Sequence, residues 1–187
     1  LEHMLFMGTE DYPDEDAYEK FIDRNNGTYN AYTADTRTVY FFDIQHDKLT
    51  DILPMFSGFF CNPLMLESAV DREINAVNSE HEKNLQSDAW RGRRLMEHLS
   101  NKEHPYSKFG TGNLDTLKKT GSDNELGIRE RLVNFYNTYY SSDKMCLSIM
   151  GRESLEELQV LVETYFEKVP QRQNVPTLNP VIKPFSN

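Results

Sequence analysis

The sequence begins with Leu1-Glu2-His3-Met4-Leu5-Phe6-Met7-Gly8-Thr9. In this stretch an acid and an imidazole stand side by side and run directly into four apolar residues and a glycine. Glycine commonly adopts the left-handed conformation just after a helix, and the apolar residues before it would anchor the helix in a core. The stretch therefore predicts the end of a buried helix, with Glu2 and His3 in it and Gly8 at its C-terminus.

Glu2 and His3 would complete a metal motif if two further residues preceded them. Because no initiator methionine stands at Leu1, we expect the sequence to be a fragment that lacks an N-terminal part. A histidine two residues before Leu1 would give H-x-L-E-H, the inverted zinc motif, with both imidazoles on one helix face. The pair alone proves little, since an acid and a histidine on a helix surface explain a two-residue match more often.

Composition places the chain among ordinary globular proteins. Its 187 residues suffice for one well-cored domain or two small ones, and 38% are hydrophobic and 27% charged. No apolar run approaches membrane-spanning length, and a net charge of -10 argues against nucleic acid as the main partner. Cys61 and Cys146 give no disulfide framework, which favours a reducing compartment and predicts a cytoplasmic location.

Apolar periodicity predicts several helices and strands. Helices are expected over residues 15–25, 47–60, 66–100, 114–118, 126–140 and 154–168. Strands are expected over residues 28–33, 37–45 and 145–150. Within the second strand, Val39-Tyr40-Phe41-Phe42 is apolar on both alternating faces, as in a strand covered on both sides.

Several residues predict interruptions of these elements. Pro54 predicts a kink or a late start of its helix, and Gly92 a bend or a second helix. Residues 104–112 have the composition of a loop, 120–124 of a flexible segment, and the prolines from Pro170 onward of a linker. Ser154 and Glu157 fit a capping box.

The order of elements predicts a mixed α/β fold, an α+β sandwich in which helices pack on a largely antiparallel mixed sheet. We expect a single domain over residues 1–187. Its two sequence segments would cover about 1–105 and about 106–187, the second ending in the linker.

Glu73 and Glu80 are the second candidate group, on the long helix predicted over 66–100. They are seven residues apart, so they lie on one face two turns apart and flank the apolar stripe. Carboxylates at the edge of a core need a cation, a metal or a proton as partner. Spacing alone leaves a metal ligand and a solvated acidic face about equally supported for Glu80.

Several motifs together resemble those of the pitrilysin family of inverted-motif zinc metallopeptidases, most closely its insulysin branch and next its nardilysin branch. The motifs are L-E-H-M-L-F-M-G-T, Y-P-D-E, N-A-Y-T, D-R-E-I-N-A-V-N-S-E-H-E-K-N, H-P-Y-S-K-F-G-T-G-N and Y-Y-S-S. They cover nearly the whole chain. The resemblance implies the N-terminal catalytic domain of a zinc metalloendopeptidase that hydrolyses short peptides, insulin-like peptides among them, with Zn²⁺ as cofactor.

The resemblance also implies roles for individual residues. Glu2 would be the general base that takes a proton from the zinc-activated water, His3 and Glu80 zinc ligands, and Glu73 a carboxylate that orients the site. The strand residues Asn30, Ala31 and Tyr32 would bind the substrate backbone by strand addition, and Trp90 would form part of the chamber wall. The first histidine ligand is not in this chain, so the fragment alone is expected to be inactive.

Two alternatives to the enzyme remain open at this point. One is a non-catalytic homologue of the same fold that binds peptides or acts as a scaffold. The other is an acidic helical interaction domain without metal, which explains the composition but not the paired glutamates. The implied partners of the enzyme are peptide substrates and the C-terminal half of the full-length protein, with no nucleic acid and no membrane span.

Overall fold

The computed structural model describes residues 1–119, 126–177 and 183–185, so the segment predicted to be flexible at 120–124 lies outside the described residues. The α-helices are α1 (Ala17–Arg24), α2 (Leu49–Cys61), α3 (Glu67–Asn84), α4 (Asp88–Leu99), α5 (Leu114–Lys119), α6 (Ile128–Tyr139) and α7 (Leu155–Phe166). Strands β1 (Thr28–Thr33) and β2 (Thr38–Asp43) form a hairpin. Short 3-10 helices cover His3–Phe6, His46–Lys48, Pro105–Ser107 and Ser142–Lys144.

The chain divides into two compact units. The first unit comprises Leu1–Ala69 and Arg131–Pro176, and the second comprises Val70–Glu130 and Thr177–Asn187. The single catalytic domain expected over 1–187 stays a prediction. The predicted mixed α/β class with an antiparallel sheet is confirmed, although the described sheet has only two strands.

The hairpin of the first unit presents one inward and one outward face. Its antiparallel register pairs Tyr29 with Phe42 and Ala31 with Tyr40, and these residues are half-buried. The outward face includes Phe41, which is 48% exposed. Val39 on the same face is half-buried, so the expectation of a strand covered on both faces was wrong at Phe41.

The core of the first unit is aromatic. The Phe6 ring lies 5.1 Å from that of Phe59 and 5.4 Å from that of Tyr29, so the 3-10 helix, α2 and the hairpin meet in one cluster. Tyr18 of α1 joins it with its ring 4.9 Å from Phe59. Because aromatic side chains bury large apolar areas, this cluster fixes the segment that follows Glu2 and His3 against the sheet.

Helix α2 confirms the predicted apolar stripe. Leu49, Ile52, Leu53 and Phe56 are all buried. Helix α2 begins five residues before Pro54 and continues past it, so the predicted late start of the helix does not occur. A smaller cluster of Leu49, Leu53 and Leu158 joins α2 to α7.

Two further expectations for the first unit were wrong. Residues 145–150 form no strand, and they join neither outer edge of the β1–β2 hairpin. The linker expected from Pro170 is docked over its first part: the Ser142 amide donates to the Pro170 carbonyl at 3.0 Å, and the Arg172 amide to the Ser141 hydroxyl at 2.8 Å. The capping box of Ser154 and Glu157 is confirmed.

In the second unit the long predicted helix is two helices. The break falls between α3 and α4 at residues 85–87 and not at Gly92, which lies inside α4 with open space where a side chain would stand. Val70 and Ile74 are buried as predicted, but Leu85 is 52% exposed because the stripe ends with α3. Among the described helices none is both long and apolar enough to cross a bilayer.

Candidate metal centre

Glu2 and His3 lie at the start of the first unit, ahead of the aromatic core. The segment from His3 to Phe6 is a 3-10 helix and not the end of an α-helix, because its amides bond three residues back, as from Leu5 to the Glu2 carbonyl. The predicted anchoring is confirmed: Met4 and Leu5 are buried. Gly8 has φ +88°, and a Cβ there would meet the Pro13 carbonyl oxygen at 3.1 Å, so this turn favours glycine.

The Glu2 carboxylate is held at the end of strand β1. Thr33 is the last residue of β1, and its hydroxyl donates to Glu2 Oε2 at 2.5 Å. Hydrogen bonds to a carboxylate are short and strong because the acceptor carries charge. The contact therefore fixes one oxygen of Glu2 beside the strand that carries Asn30, Ala31 and Tyr32.

A series of hydroxyl groups continues from Glu2 into the first unit. The Thr33 and Thr38 hydroxyl oxygens lie 3.2 Å apart across the hairpin. Thr38 hydrogen-bonds the Tyr140 phenol, and the Tyr140 and Tyr40 phenol oxygens lie 2.9 Å apart. This hydroxyl series thus links the candidate base Glu2 to Tyr140, the residue that follows α6.

The two phenols of the hydroxyl series are held in the neutral form. Burial is the main cause that raises the pKa of Tyr40, and the neighbouring Tyr140 adds to it. Burial likewise raises the pKa of Tyr140, while its hydrogen bonds with Tyr40 and Thr38 lower it. The negative charge of Glu2 raises both pKa values further, so the carboxylate and the phenols are electrostatically linked.

The predicted substrate-binding residues lie together on β1. Asn30 and Tyr32 are exposed and Ala31 is half-buried, as expected of alternating strand positions. The Ala31 amide donates to the Asn30 Oδ1 atom at 2.8 Å. Strand β1 pairs with β2 on one side, and no described strand pairs with its other edge.

The two other candidate acids lie in the second unit. Glu73 and Glu80 are both on α3, where Glu73 is half-buried and Glu80 is exposed. Their placement on one helix two turns apart is as predicted. The structure thus brings Glu2 and His3 together in one unit and Glu73 and Glu80 together in the other.

The donor types suit zinc, but their number does not. Histidine nitrogen and glutamate oxygen are common zinc ligands, and a catalytic site uses three protein ligands. Within residues 1–119, 126–177 and 183–185, no group of three or more His, Cys, Asp or Glu side chains could hold a metal ion. His3 and Glu80 by themselves therefore do not make a complete catalytic zinc site.

Sequence reasoning missed the hydroxyl series. Thr33 stands in the quoted motif N-A-Y-T, so its position beside the candidate strand could have drawn attention to it. Tyr140 is 100 residues from Tyr40, and no local pattern links two residues so far apart. Only the fold brings these phenols together.

Comparison with known proteins extends these observations. Residues 1–103 match the family model described as Insulinase (Peptidase family M16), and residues 128–186 match that of the Peptidase M16 inactive domain. The chain is 46% identical over 175 residues to insulin-degrading enzyme of Bos taurus, which covers 94% of this chain and 17% of that protein. It is 48% identical over 171 residues to mug138 of Schizosaccharomyces pombe, named as a zinc protease, with 91% and 18% covered.

A solved structure agrees with the sequence relatives. The crystal structure of pitrilysin matches with a TM-score of 0.88 at 30% identity, over 95% of this chain and 19% of that chain. The chain thus spans less than a fifth of the length of these relatives. The motifs around Glu2, Asn30 and Glu80 lie within residues 1–103, which the family model matches. Relatives with a sequence identity of 46% agree with this assignment. The chain belongs to the insulinase family of peptidases, family M16, of which the pitrilysin and insulysin proteins are members.

Proposed function

We propose that this chain is part of a zinc-dependent metalloendopeptidase that cleaves short peptides, insulin-like peptides among them. Its contribution would be the general base Glu2, the zinc ligands His3 and Glu80, and a strand edge for the substrate. The remaining ligand, a histidine, and a C-terminal half would come from parts of the protein outside this chain. The two cysteines, neither of them in a disulfide, are compatible with the proposed cytoplasmic location.

The observation that carries the proposal is the contact between Glu2 and Thr33. A general base must lie within hydrogen-bond reach of the proton that it takes. The Thr33 hydroxyl holds the Glu2 carboxylate at the end of β1 through one oxygen, Oε2. A peptide lying along β1 would pass this carboxylate, which supports a shared substrate for the proposed base and the strand edge.

The edge of β1 supports binding by strand addition. An extended peptide gains main-chain hydrogen bonds when it joins an unpaired strand edge. The Ala31 amide is engaged by the Asn30 side chain at 2.8 Å, so an incoming peptide carbonyl would have to replace that side chain. Tyr32, 44% exposed, would then contact the substrate side chains.

A non-catalytic peptide-binding homologue is the second candidate. One observation is compatible with it: residues 128–186, which contain none of the candidate catalytic or metal-binding residues, match a model named for an inactive domain. Such a protein would use the same β1 edge without hydrolysing the peptide. Glu2 would then have no chemical role.

The experiment compares glutamate-to-glutamine variants in the full-length protein that contains this chain. Glu2→Gln should keep zinc but lose peptide hydrolysis, because an amide cannot accept the proton, whereas Glu80→Gln should lose zinc. Glu82→Gln is the matched control, since Glu82 is exposed on the same helix and accepts from Asn78 at 2.8 Å. Full hydrolysis by Glu2→Gln, or loss of zinc from Glu2→Gln and not from Glu80→Gln, would overturn the assignment.

A further inference from the structure

The second unit contains a cavity of about 490 Å³ beside helix α4. Helix α4 supplies Trp90, Arg91, Arg93, Arg94 and Glu97 to its wall. His81 and Asn84 of α3, Leu85 just after it, and the loop that contains Phe109 form other parts of the wall. All lining residues belong to the second unit, so the cavity does not depend on any other part of the chain.

The charge of the cavity is opposite to that of the chain. Its lining has three arginines and one glutamate, although the whole chain carries a net charge of -10. Arg91 is paired with Asp88 at 3.3 Å, but both side chains are largely exposed, and such pairs are weak. A ligand with a negative charge could therefore compete for Arg91.

Buried Glu97 holds two of the arginines in place. Its side chain is only 7% exposed, and its oxygens accept from Arg93 Nε at 3.1 Å and from Arg94 Nη1 at 3.0 Å. The Arg94 guanidinium also lies 5.2 Å from the centre of the Phe109 ring. A guanidinium fixed in this way is pre-organised, so little side-chain entropy is lost when it binds a carboxylate.

The remaining wall is partly apolar. Trp90 is 42% exposed, and Leu85 is 52% exposed at the end of α3. The Phe109 ring also contacts the ring of His81, with ring centres 5.4 Å apart. Fixed cations beside exposed aromatic and aliphatic surface match a peptide segment that carries a carboxylate next to an apolar side chain.

We propose that this cavity binds an acidic side chain of a peptide, with the carboxylate on Arg94 and Arg91 and the adjoining apolar group against Trp90. The assignment of a peptide as the occupant rests on the proposed peptidase function. The acidic preference rests only on the cavity. The site would thus select, among peptides that reach the protein, those with aspartate or glutamate at one position.

Trp90 makes the proposal measurable, because it is the only tryptophan in the chain. The 187-residue chain is titrated with a short peptide that contains Leu-Glu, with the same peptide containing Leu-Gln, and with inorganic phosphate, while tryptophan fluorescence is followed. The acidic peptide should bind about tenfold more tightly than the amide peptide, as expected for one hydrogen bond to a charged group. Added salt should reduce this difference.

Matched arginine variants test the assignment to the cavity. Arg94→Gln and Arg91→Gln should each remove most of the preference for the acidic peptide, whereas Arg152→Gln should not, because Arg152 is an exposed arginine in the first unit. Arg94→Gln leaves Glu97 with one partner fewer, so its circular dichroism is compared with that of wild type. Arg91 pairs with Asp88, whereas Glu97 pairs with Arg93 and Arg94, so the Arg91 variant keeps the test valid if Arg94→Gln unfolds.

Three outcomes would overturn the proposal. They are equal binding of the acidic and amide peptides, an equal loss of preference in Arg152→Gln, and binding of phosphate as tight as that of the acidic peptide. None of these outcomes involves hydrolysis or zinc. If the preference is found and full-length protein cleaves no peptide, the cavity stands and the proposed peptidase function fails.

Discussion

The hydroxyl of Thr33 lies 2.5 Å from a carboxylate oxygen of Glu2, although 31 positions separate the two residues. The contact ties the first turn of the chain to the last residue of β1. A carboxylate that is free to rotate would reach a substrate in few of its orientations. Thr33 is therefore a positioning residue for the proposed base.

Thr33→Val should lower the turnover of full-length protein about tenfold or more, because a hydrogen bond to a charged group is worth about 1.5–3 kcal/mol. The KM for a fluorogenic peptide should change little, and Thr33→Ser should restore turnover. Thr28→Val is the control, since Thr28 donates to Asp43 Oδ2 at 2.5 Å on the same strand without contacting Glu2. Equal losses in Thr28→Val and Thr33→Val would mean that only strand stability is affected.

Glu73→Gln should weaken activity about 10–100-fold, as is typical for side chains that orient metal ligands, and less severely than Glu80→Gln. Glu73 is half-buried two turns before Glu80 on α3. The alternative is a surface ion pair with an arginine such as Arg72 or Arg94, worth about 0–1 kcal/mol. Arg94 is already paired with Glu97. Wild-type turnover and zinc content in Glu73→Gln would support the surface pair.

The 187-residue chain alone should bind zinc weakly, because His3 and Glu80 are fewer than the three ligands of a catalytic site. Elemental analysis after dialysis against a chelator measures this directly. A version extended by His and any second residue before Leu1 should retain zinc, and an extension by Ala and the same residue should not. Tight stoichiometric zinc in the unextended chain would contradict the ligand assignment.

Tyr40 and Tyr140 should show a clear energetic coupling. Each single change to Phe leaves a hydroxyl without its partner at 2.9 Å and should lower the free energy of unfolding by about 1–3 kcal/mol. The double variant should lose less than the sum, by about 1 kcal/mol. Urea unfolding measures the cycle. Tyr139→Phe, at an exposed neighbouring position, should change stability by less than about 0.5 kcal/mol.

The free energy of unfolding should fall at alkaline pH. Burial raises the pKa values of Tyr18, Tyr40 and Tyr136, and it raises that of Tyr29 to about 12. In the unfolded chain these phenols ionise near pH 10. Their contribution is therefore complete below about pH 10 and is lost as the pH rises from there toward the folded-state pKa values.

Urea unfolding between about pH 8 and pH 11 tests this dependence. The Tyr40→Phe variant should have a shallower decline than wild type, because one of the buried phenols is gone. Identical slopes for the two proteins would show that Tyr40 ionises equally easily in the folded and unfolded states.

Sequence periodicity predicted the elements that bury a continuous apolar stripe. Helix α2 is an example, since Leu49, Ile52, Leu53 and Phe56 are spaced for one face and all are buried. Periodicity failed where strand pairing or the end of a helix decides the structure. Residues 145–150 are apolar at alternating positions, yet they join neither edge of the β1–β2 hairpin, and α3 ends before Leu85 although no glycine or proline stands there.

The candidate site was predictable only in its residue types. The roles of Glu2, His3 and Glu80 were inferred from the family resemblance, because a Glu-His pair alone fits many helix surfaces. The positions of Thr33, Thr38 and Tyr140 around Glu2 depend on the hairpin register and on contacts between distant segments. Such contacts leave no periodic signal in the sequence. The same holds for Arg94 and Phe109 in the second unit.

The pairing of Tyr40 with Tyr140 has a consequence for the order in which the protein forms. The first unit is discontinuous in sequence, and its later part begins only at Arg131. During synthesis Glu2, β1 and Tyr40 emerge before Tyr140, and 100 positions separate Tyr40 from the Tyr140 phenol that completes the hydroxyl series. Closing so long a loop costs conformational entropy, and this cost arises before the hydrogen bond between the phenols can stabilise the fold. The surroundings of Glu2 are thus completed late, and a nascent chain that ends before Tyr140 carries the base without its full support.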